Sequence, residues 1–342
     1  MPKAKTLFFT APKQIEIRET AIASLKKDEV LVETLYSAIS AGTEMLVYRG
    51  QFPHLADSHD NVSSDLNYPL AYGYACVGVV QETGAQVDRS WREKLVFAFH
   101  PHASHFISNP DALIPIPDSL KPETACFLPN METVVNLVQD GAPIIGERVL
   151  VLGQGIIGLL TASLLGEFPL ESLVTVDQFE LRRNALKAES QRIRDIQYST
   201  FDPAQKDFRE QVGSILQNGA DLTFELSGSP SALNDAIALT TFSGRIVIGS
   251  WYGQKRTEID LGGTFHRSRI KLISSQVSTI SPELSGRWDK SRRFNIAWKT
   301  LERIKPEKWI THRFALNDAE KAYQLLDKNP QETMQVIFDH SA

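Results

Sequence analysis

Arg148-Val149-Leu150-Val151-Leu152 runs directly into Gly153-Gln154-Gly155-Ile156-Ile157-Gly158, a continuous apolar stretch followed by three glycines spaced G-x-G-x-x-G. The five-residue run reads as a strand buried on both faces. The apolar residues that continue to Gly166 read as a helix. Alone, the glycine spacing is a weak signal. Placed between a buried strand and a helix, it has the context that a dinucleotide-binding turn requires. Gly153 suits a tight turn, Gly155 the close approach of a pyrophosphate, and Gly158 the packing of helix on strand. The N–H groups at Ile156 and Ile157 then open toward phosphate at a helix N-terminus, where the dipole favours negative charge.

A second strand, Leu173-Val174-Thr175-Val176-Asp177, follows. Asp177 lies about 20 residues after the last glycine, the spacing of an acidic residue that takes the ribose hydroxyls and repels a 2′-phosphate. NAD(H) is therefore expected over NADP(H). Arg182 and Arg183 point the other way, since arginine holds a 2′-phosphate. A purely structural role for Asp177, capping the next helix, is the competing reading.

Outward from this unit, strand and helix signals alternate. A charged helix is expected from Glu180 to Ser190 and another from Ser231 to Thr240. Further strands are expected at Ala220–Glu225, Arg245–Gly249 and Ile270–Ser274. That alternation predicts a parallel sheet with right-handed crossovers. Toward the N-terminus, short alternating runs such as Ile15-Glu16-Ile17-Arg18, Val30 to Leu35, Val77 to Val80 and Leu95 to Phe99 predict β-structure. Gln51 to Pro69 reads as a long polar loop carrying His54, Asp57, His59, Asp60 and Asp65. A helix opens at Pro122-Glu123-Thr124 and continues from Met131 to Val138. The tail should hold helices at Phe294–Ile304 and Asn317–Leu326 and a last strand at Met334–Phe338.

The 342 residues carry 36 Lys and Arg against 41 Asp and Glu, a net charge of −5. That balance lacks the basic footprint of a nucleic-acid binder and any polybasic membrane patch. Val149 to Gly166 is nearly all apolar or glycine but falls short of the roughly 20 residues of a membrane span. Two cysteines, Cys76 and Cys126, make neither a four-cysteine zinc site nor a disulfide framework. A cytoplasmic setting is expected, with no nucleic-acid or membrane partner.

Ser40-Ala41-Gly42-Thr43-Glu44, Pro69-Leu70-Ala71-Tyr72-Gly73-Tyr74, Gly146 to Val151, Glu225-Leu226-Ser227-Gly228 and Gly244 to Gly249 together resemble the medium-chain dehydrogenase/reductase superfamily over nearly the whole chain. The resemblance implies an α/β protein in two domains. A GroES-like β-barrel catalytic domain would use residues 1–125 and 280–342. A Rossmann domain, a doubly wound parallel sheet, would use residues 126–279, with the active site in the cleft between the two. Zinc-dependent members carry Cys-Gly-Thr-Asp where this chain has Ala41-Gly42-Thr43-Glu44, and Gly-His-Glu where it has Gly73-Tyr74-Ala75. Leu128-Pro129 stands near their third ligand. Alanine, tyrosine and leucine do not make a zinc site, so a zinc-free member is expected. Within the superfamily, Ser274 to Ser278 and Gly286-Arg287-Trp288 resemble the group of bacteriochlorophyllide dehydrogenases. A homodimer is the family expectation.

The resemblance places Thr43 where the family keeps a proton-relay hydroxyl, and Tyr74 in place of the metal-binding histidine. A tyrosine can serve as general acid or base; as a packed aromatic it would only satisfy its own hydroxyl. Glu44 reads as a substrate-orienting group or, more simply, a surface carboxylate. His100 and His102 would share one face of a strand, with His105 nearby. Without a third convergent ligand they make no metal site, and His102 is expected to line the substrate pocket. Thr133 matches a position beside the nicotinamide ring. Ser227 and Gly228 fit a later turn of the Rossmann sheet, and Ser250 and Gln276 end successive strands where ligands of such sheets bind. Arg287, Arg292 and Arg293 with Trp288 read as an anion grip or as a solvated helix start. The implied activity is interconversion of a small-molecule alcohol and carbonyl with NAD(H). An NADPH-dependent quinone or enone reductase, and a catalytically silent dinucleotide-binding scaffold, are the alternatives.

Overall fold

The computed structural model describes residues 3–52, 66–187 and 196–341. The polar-loop residues His54, Asp57, His59, Asp60 and Asp65 lie outside the described residues, as does the end of the helix expected to reach Ser190. The chain forms two compact units, Met1–Pro129 with Leu301–Ala342, and Asn130–Thr300.

In chain order, the first unit begins with β1 (Lys3–Ala11), β2 (Gln14–Ala21) and β3 (Val30–Ala38), then a short helix α1 (Glu44–Arg49). It continues through β4 (Leu70–Ala71), β5 (Cys76–Thr83), β6 (Leu95–Ala98), β7 (His105–Ser108), β8 (Leu113–Pro115) and α2 (Pro122–Ala125). Helix α3 (Leu128–Gly141) carries the chain into the second unit. There follow β9 (Arg148–Leu152), α4 (Ile156–Leu165), β10 (Ser172–Val176), α5 (Glu180–Lys187) and β11 (Gln197–Phe201). Next come α6 (Phe208–Ile215), β12 (Ala220–Glu225), α7 (Ala232–Leu239), β13 (Thr240–Ile248) and β14 (Lys271–Ser274). Helix α8 (Lys290–Ile304) returns the chain to the first unit, which ends with β15 (Ile310–Ala315), α9 (Ala319–Lys328) and β16 (Gln335–Asp339).

The second unit's six strands lie in the order β11-β10-β9-β12-β13-β14, all parallel. This is the doubly wound order 3-2-1-4-5-6. Val149, Leu150 and Val151 of β9 have no exposed surface, as expected of a central parallel strand. Helix α4 buries Leu159, Leu160, Ala162 and Leu165, and truncating one such leucine to alanine costs about 2–5 kcal/mol. Strand β13 starts at Thr240, where the sequence suggests the end of a helix. Its register with β12 shifts between Ala220 and Leu222, and Ser243 has φ +57°. That irregular start hides the strand from a period-two reading.

In the first unit, β15-β16-β3-β5-β6-β8 form a sheet in which β7 also pairs with β3. A second sheet runs β2-β1-β4. Leu7, Phe9, Val47, Tyr48, Tyr323 and Phe338 pack into one apolar cluster. Tyr323 sits 5.2 Å from the Phe9 ring and 5.4 Å from the Tyr48 ring. Residues 99–104, expected as an extension of a strand, form no regular strand; they make one isolated bridge, Thr6 with Ala103. His100 and His102 therefore do not share a strand face. His100 stacks on Phe106 at 4.1 Å, while His102 turns into the interior.

Candidate active site

The glycine turn between β9 and α4 is fixed by three separate constraints. Gly153 has φ +93°, and a Cβ there would stand 2.6 Å from the backbone nitrogen of Ser227. A Cβ on Gly158 would stand 1.9 Å from the Gly153 carbonyl oxygen. Gly155 differs: its backbone is extended (φ −61°, ψ −178°) and a Cβ would meet nothing within 4 Å. The fold therefore demands glycine at 153 and 158, whereas at 155 it leaves open space in front of the first turn of α4. Gly155 has no side chain to cap the α4 amides, so the N–H groups of Ile156 and Ile157 remain a phosphate cradle. Beside them Gln154 is wholly buried. Its Nε2 donates to the Gly153 carbonyl at 3.0 Å, and its Oε1 is an orphaned buried acceptor. Open space in front of two backbone N–H groups at a helix N-terminus fits a dinucleotide pyrophosphate.

Asp177, directly after β10, accepts from Gln154 N–H at 2.7 Å through one oxygen and from Phe179 N–H at 2.8 Å through the other. It thus ties the glycine turn to the start of α5, so the capping role and proximity to the turn coexist. The Arg182 guanidinium lies over the Phe179 ring at 4.7 Å. Burial pulls its affinity for the proton down while the Asp177 charge opposes that pull. Arg183 donates to the Asp177 carbonyl at 2.8 Å and pairs with Asp202 at 3.1 Å.

At the carboxyl end of β12, Glu225 is wholly buried. It accepts from Ser227 N–H at 2.9 Å, from the Ser227 hydroxyl, and from the Tyr252 phenol at 2.5 Å. Burial and the Glu225 charge push the Tyr252 phenol far up. Ser250 Oγ accepts from Gly228 N–H at 2.9 Å. Gly228 has φ +70° and open space where a Cβ would be. Ser227, Gly228 and Ser250 therefore form one braced turn. Tyr252 and Glu225, which the sequence reading did not weigh as a pair, hold it. Thr133 lies partly buried on α3. Gln276 is exposed and bonds within its own loop, Nε2 donating to Ser278 Oγ at 2.8 Å and Oε1 accepting Ser278 N–H at 2.6 Å.

The basic segment that runs into the first turn of α8 departs from its expected role. Arg293 is neither solvated nor open to a substrate anion: it is wholly buried. It donates to Glu132 at 2.8 and 3.1 Å, to Asn136 Oδ1 at 2.7 Å, and to the carbonyls of Val277 and Thr279. Arg292 lies over the Trp288 ring at 4.1 Å.

The first unit gathers the other candidates. The Tyr74 phenol, partly buried, donates to Ser40 Oγ at 2.5 Å, and the Thr43 hydroxyl bonds the same phenol. Burial raises Tyr74 to about 12, against the stabilising pull of Ser40 and Thr43 and with a smaller push from Glu44. Glu44 is not the surface carboxylate that its place in a polar motif suggests; it has no exposed surface. It accepts from Ser40 N–H at 2.8 Å, from His102 Nε2 at 2.9 Å, and from the Tyr323 hydroxyl. His102 is likewise fully buried, with Nδ1 2.8 Å from Ser37 Oγ. It lines no accessible pocket, because both ring nitrogens are engaged and Gly73 (φ +123°) closes over it, a Cβ there falling 2.7 Å from His102 Cδ2. Thr43 and Tyr74 thus come together, and His102 stands behind them through Glu44. Ser40, Ser37, Tyr323 and His340 were missed. Their only sequence signal for Ser40 is its place in the motif; the others are distant in the chain.

At the three positions where zinc-type members carry ligands, Ala41 and Leu128 offer no donor atom. Tyr74 offers a phenol held protonated and committed to Ser40. That set does not fit zinc.

No protein-family model matches the chain. Starvation-sensing protein RspB of Escherichia coli K12 is 22% identical over 374 residues, covering 98% of this chain and 99% of the relative. L-threonine 3-dehydrogenase of Pyrococcus furiosus is 31% identical over 236 residues, covering 65% of this chain and 59% of that enzyme. A solved alcohol dehydrogenase of Escherichia coli CFT073, complexed with NADH, superposes with a TM-score of 0.77 at 19% identity, covering 98% of this chain and 99% of that one. The chain shares the two-part architecture of the medium-chain dehydrogenase/reductase superfamily and is similar in sequence to dehydrogenases of that kind. Its first unit is the GroES-like part of that architecture and its second the Rossmann part. It is an alcohol-dehydrogenase-like oxidoreductase; the solved neighbours of this fold include complexes with NADH and with NADP. Among the described residues, no helix is long and apolar enough to cross a membrane.

Proposed function

We propose that this protein is a zinc-independent, NAD(H)-dependent oxidoreductase that interconverts an alcohol and a carbonyl compound by hydride transfer. The observation that carries the reading is the Tyr74 phenol, which stands in the metal ligand's place and is tied to Ser40 at 2.5 Å with Thr43 beside it. When bound, the nicotinamide supplies or takes the hydride. The chain's own work is to hold the dinucleotide and to move one proton.

Ile156 and Ile157 N–H groups, with Gly155 leaving room, would take the pyrophosphate. Asp177 at the end of β10 favours ribose hydroxyls and opposes a 2′-phosphate, which supports NAD(H) over NADP(H). In carbonyl reduction, Tyr74 Oη would give its proton to the substrate oxygen as the carbonyl carbon gains hydride. The phenolate left behind is stabilised by the hydroxyls of Ser40 and Thr43. In alcohol oxidation the same phenolate takes the hydroxyl proton. A phenol raised to about 12 is protonated near neutrality and so is poised as the acid.

A second reading, NADPH-dependent reduction of a quinone or enone, draws on Arg182, the desolvated cation beside Asp177. Fluorescence titration with NADH and with NADPH, with and without a chelator, decides between them, followed by a screen of alcohols and ketones. Chelator-insensitive preference for NADH with turnover of an alcohol–ketone pair is expected. Preference for NADPH favours the second reading, and binding of neither rejects both.

A further inference from the structure

The Glu44 carboxylate is the buried end of an unbroken hydrogen-bond chain. Glu44 Oε2 lies 2.9 Å from His102 Nε2, His102 Nδ1 lies 2.8 Å from Ser37 Oγ, and Ser37 Oγ lies 2.9 Å from His340 Nε2. His340 follows β16 and is partly exposed; the other three have no exposed surface. An ionised carboxylate only accepts, so His102 Nε2 carries a proton. A neutral His102 then accepts at Nδ1 from the Ser37 hydroxyl, and Ser37 accepts from His340 Nε2–H. His340 Nδ1 is thereby left as a bare acceptor, in keeping with its having no hydrogen-bond partner. A bare acceptor is the only arrangement that leaves no buried donor stranded. All three donors point toward Glu44.

The chain ends beside the proposed acid. Glu44 shares Ser40 with Tyr74, one through the backbone N–H and the other through the hydroxyl, and its charge bears on the Tyr74 phenol. A phenolate at Tyr74 would put two anions together in a site of low dielectric, where like charges disfavour one another strongly. We propose that His340, Ser37 and His102 relay a proton to Glu44 when negative charge develops at Tyr74, a compensation that rests on the alcohol–carbonyl reading above. One proton from solvent, which reaches the partly exposed His340 ring, binds its unpartnered Nδ1. The Nε2 proton of His340 passes to Ser37, the Ser37 proton to His102 Nδ1, and the His102 Nε2 proton to Glu44 Oε2. Both imidazoles end neutral with the proton on Nδ1, and Glu44 ends as the acid. His105 and Asp339 face His340, and Cys76, Tyr74 and Tyr323 face Glu44. His102, Ser37 and His340 are positioning and relay residues; Tyr74 remains the group that touches substrate.

The test has two arms on the full chain. Long-range ¹H–¹⁵N spectra of the ¹⁵N-labelled protein at neutral pH should show His102 and His340 as neutral Nε2–H tautomers. An Nδ1–H tautomer or an imidazolium at either residue overturns the proposal. In the second arm, Ser37→Ala and His340→Gln, each with NADH affinity checked as a control for folding, should lower turnover about tenfold or more and displace the pH profile, with KM unmoved. Wild-type turnover and pH profile in both variants overturn it. Failure of the wild type to turn over any alcohol or carbonyl compound rejects the alcohol–carbonyl reading and the compensating role with it; the spectra then still decide whether the chain of tautomers exists.

Discussion

Arg293 reaches a single oxygen of Glu132 through two guanidinium nitrogens, at 2.8 and 3.1 Å, and both side chains lie inside the protein. Glu132 also has Lys290 at 3.4 Å, on the exposed side. Removing one member of such a pair strands the other charge in the interior, which costs about 3–5 kcal/mol. Arg293→Met should therefore lower the urea midpoint sharply. The double replacement Arg293→Met with Glu132→Leu should recover most of that loss, because no buried charge remains. Equal destabilisation of the single and double variants would refute this account.

Gly155 and Gly158 give opposite expectations for the same change. Gly158→Ala puts a Cβ 1.9 Å from the Gly153 carbonyl, so the turn itself must break and the protein should lose stability. Gly155→Ala meets nothing in the fold and should leave the melting temperature unchanged. It should nevertheless weaken NADH binding about tenfold or more, a loss of roughly 1.4 kcal/mol. Thermal melts and fluorescence titration of the two variants separate these effects.

Tyr74→Phe removes the proposed acid while keeping the ring. Turnover should fall about 10²- to 10⁴-fold with NADH affinity intact. Thr43→Val, which leaves Ser40 in place, should produce a smaller loss. Full turnover in Tyr74→Phe would sink the proton path.

His340 carries a pH signature. Burial pulls its imidazole from 6.5 down to about 3. The unfolded chain therefore binds this proton more readily than the folded one between those values. The stabilisation is complete above pH 6.5 and lost as pH falls toward 3, at up to about 1.4 kcal/mol per pH unit. Urea unfolding at pH 7.5 and pH 5 should show the wild type losing about 2 kcal/mol more than His340→Gln. Identical losses would mean that His340 titrates normally in the folded state.

What could be read from the sequence was local. The strand, the three glycines and the helix after them are contiguous, so turn and sheet follow from one stretch around Gly153, and the cofactor proposal starts there. Thr43 and Tyr74, whose side chains meet in the fold, were singled out by the motifs that hold them. Glu44 did not, because its partners His102 and Tyr323 lie 58 and 279 residues away. Nothing in Ala41-Gly42-Thr43-Glu44 distinguishes a buried carboxylate from a solvated one. Arg293 was hidden for the same reason: its segment is rich in charged residues, and its burial depends on Glu132 and Asn136, 161 and 157 residues upstream. The early start of β13 was masked by its irregular register at Ala220 and Leu222.

The closure of Gly73 over His102 also bears on how this protein will answer to histidine-directed reagents. An acylating reagent attacks imidazoles that solvent can reach. Among the described residues, His266 is exposed and His100, His105, His312 and His340 are partly so, whereas His102 has no accessible surface. Inactivation by such a reagent therefore reports on the other histidines. Only denaturation would bring His102 into the labelling pattern, which makes its modification a marker of unfolding rather than of catalysis.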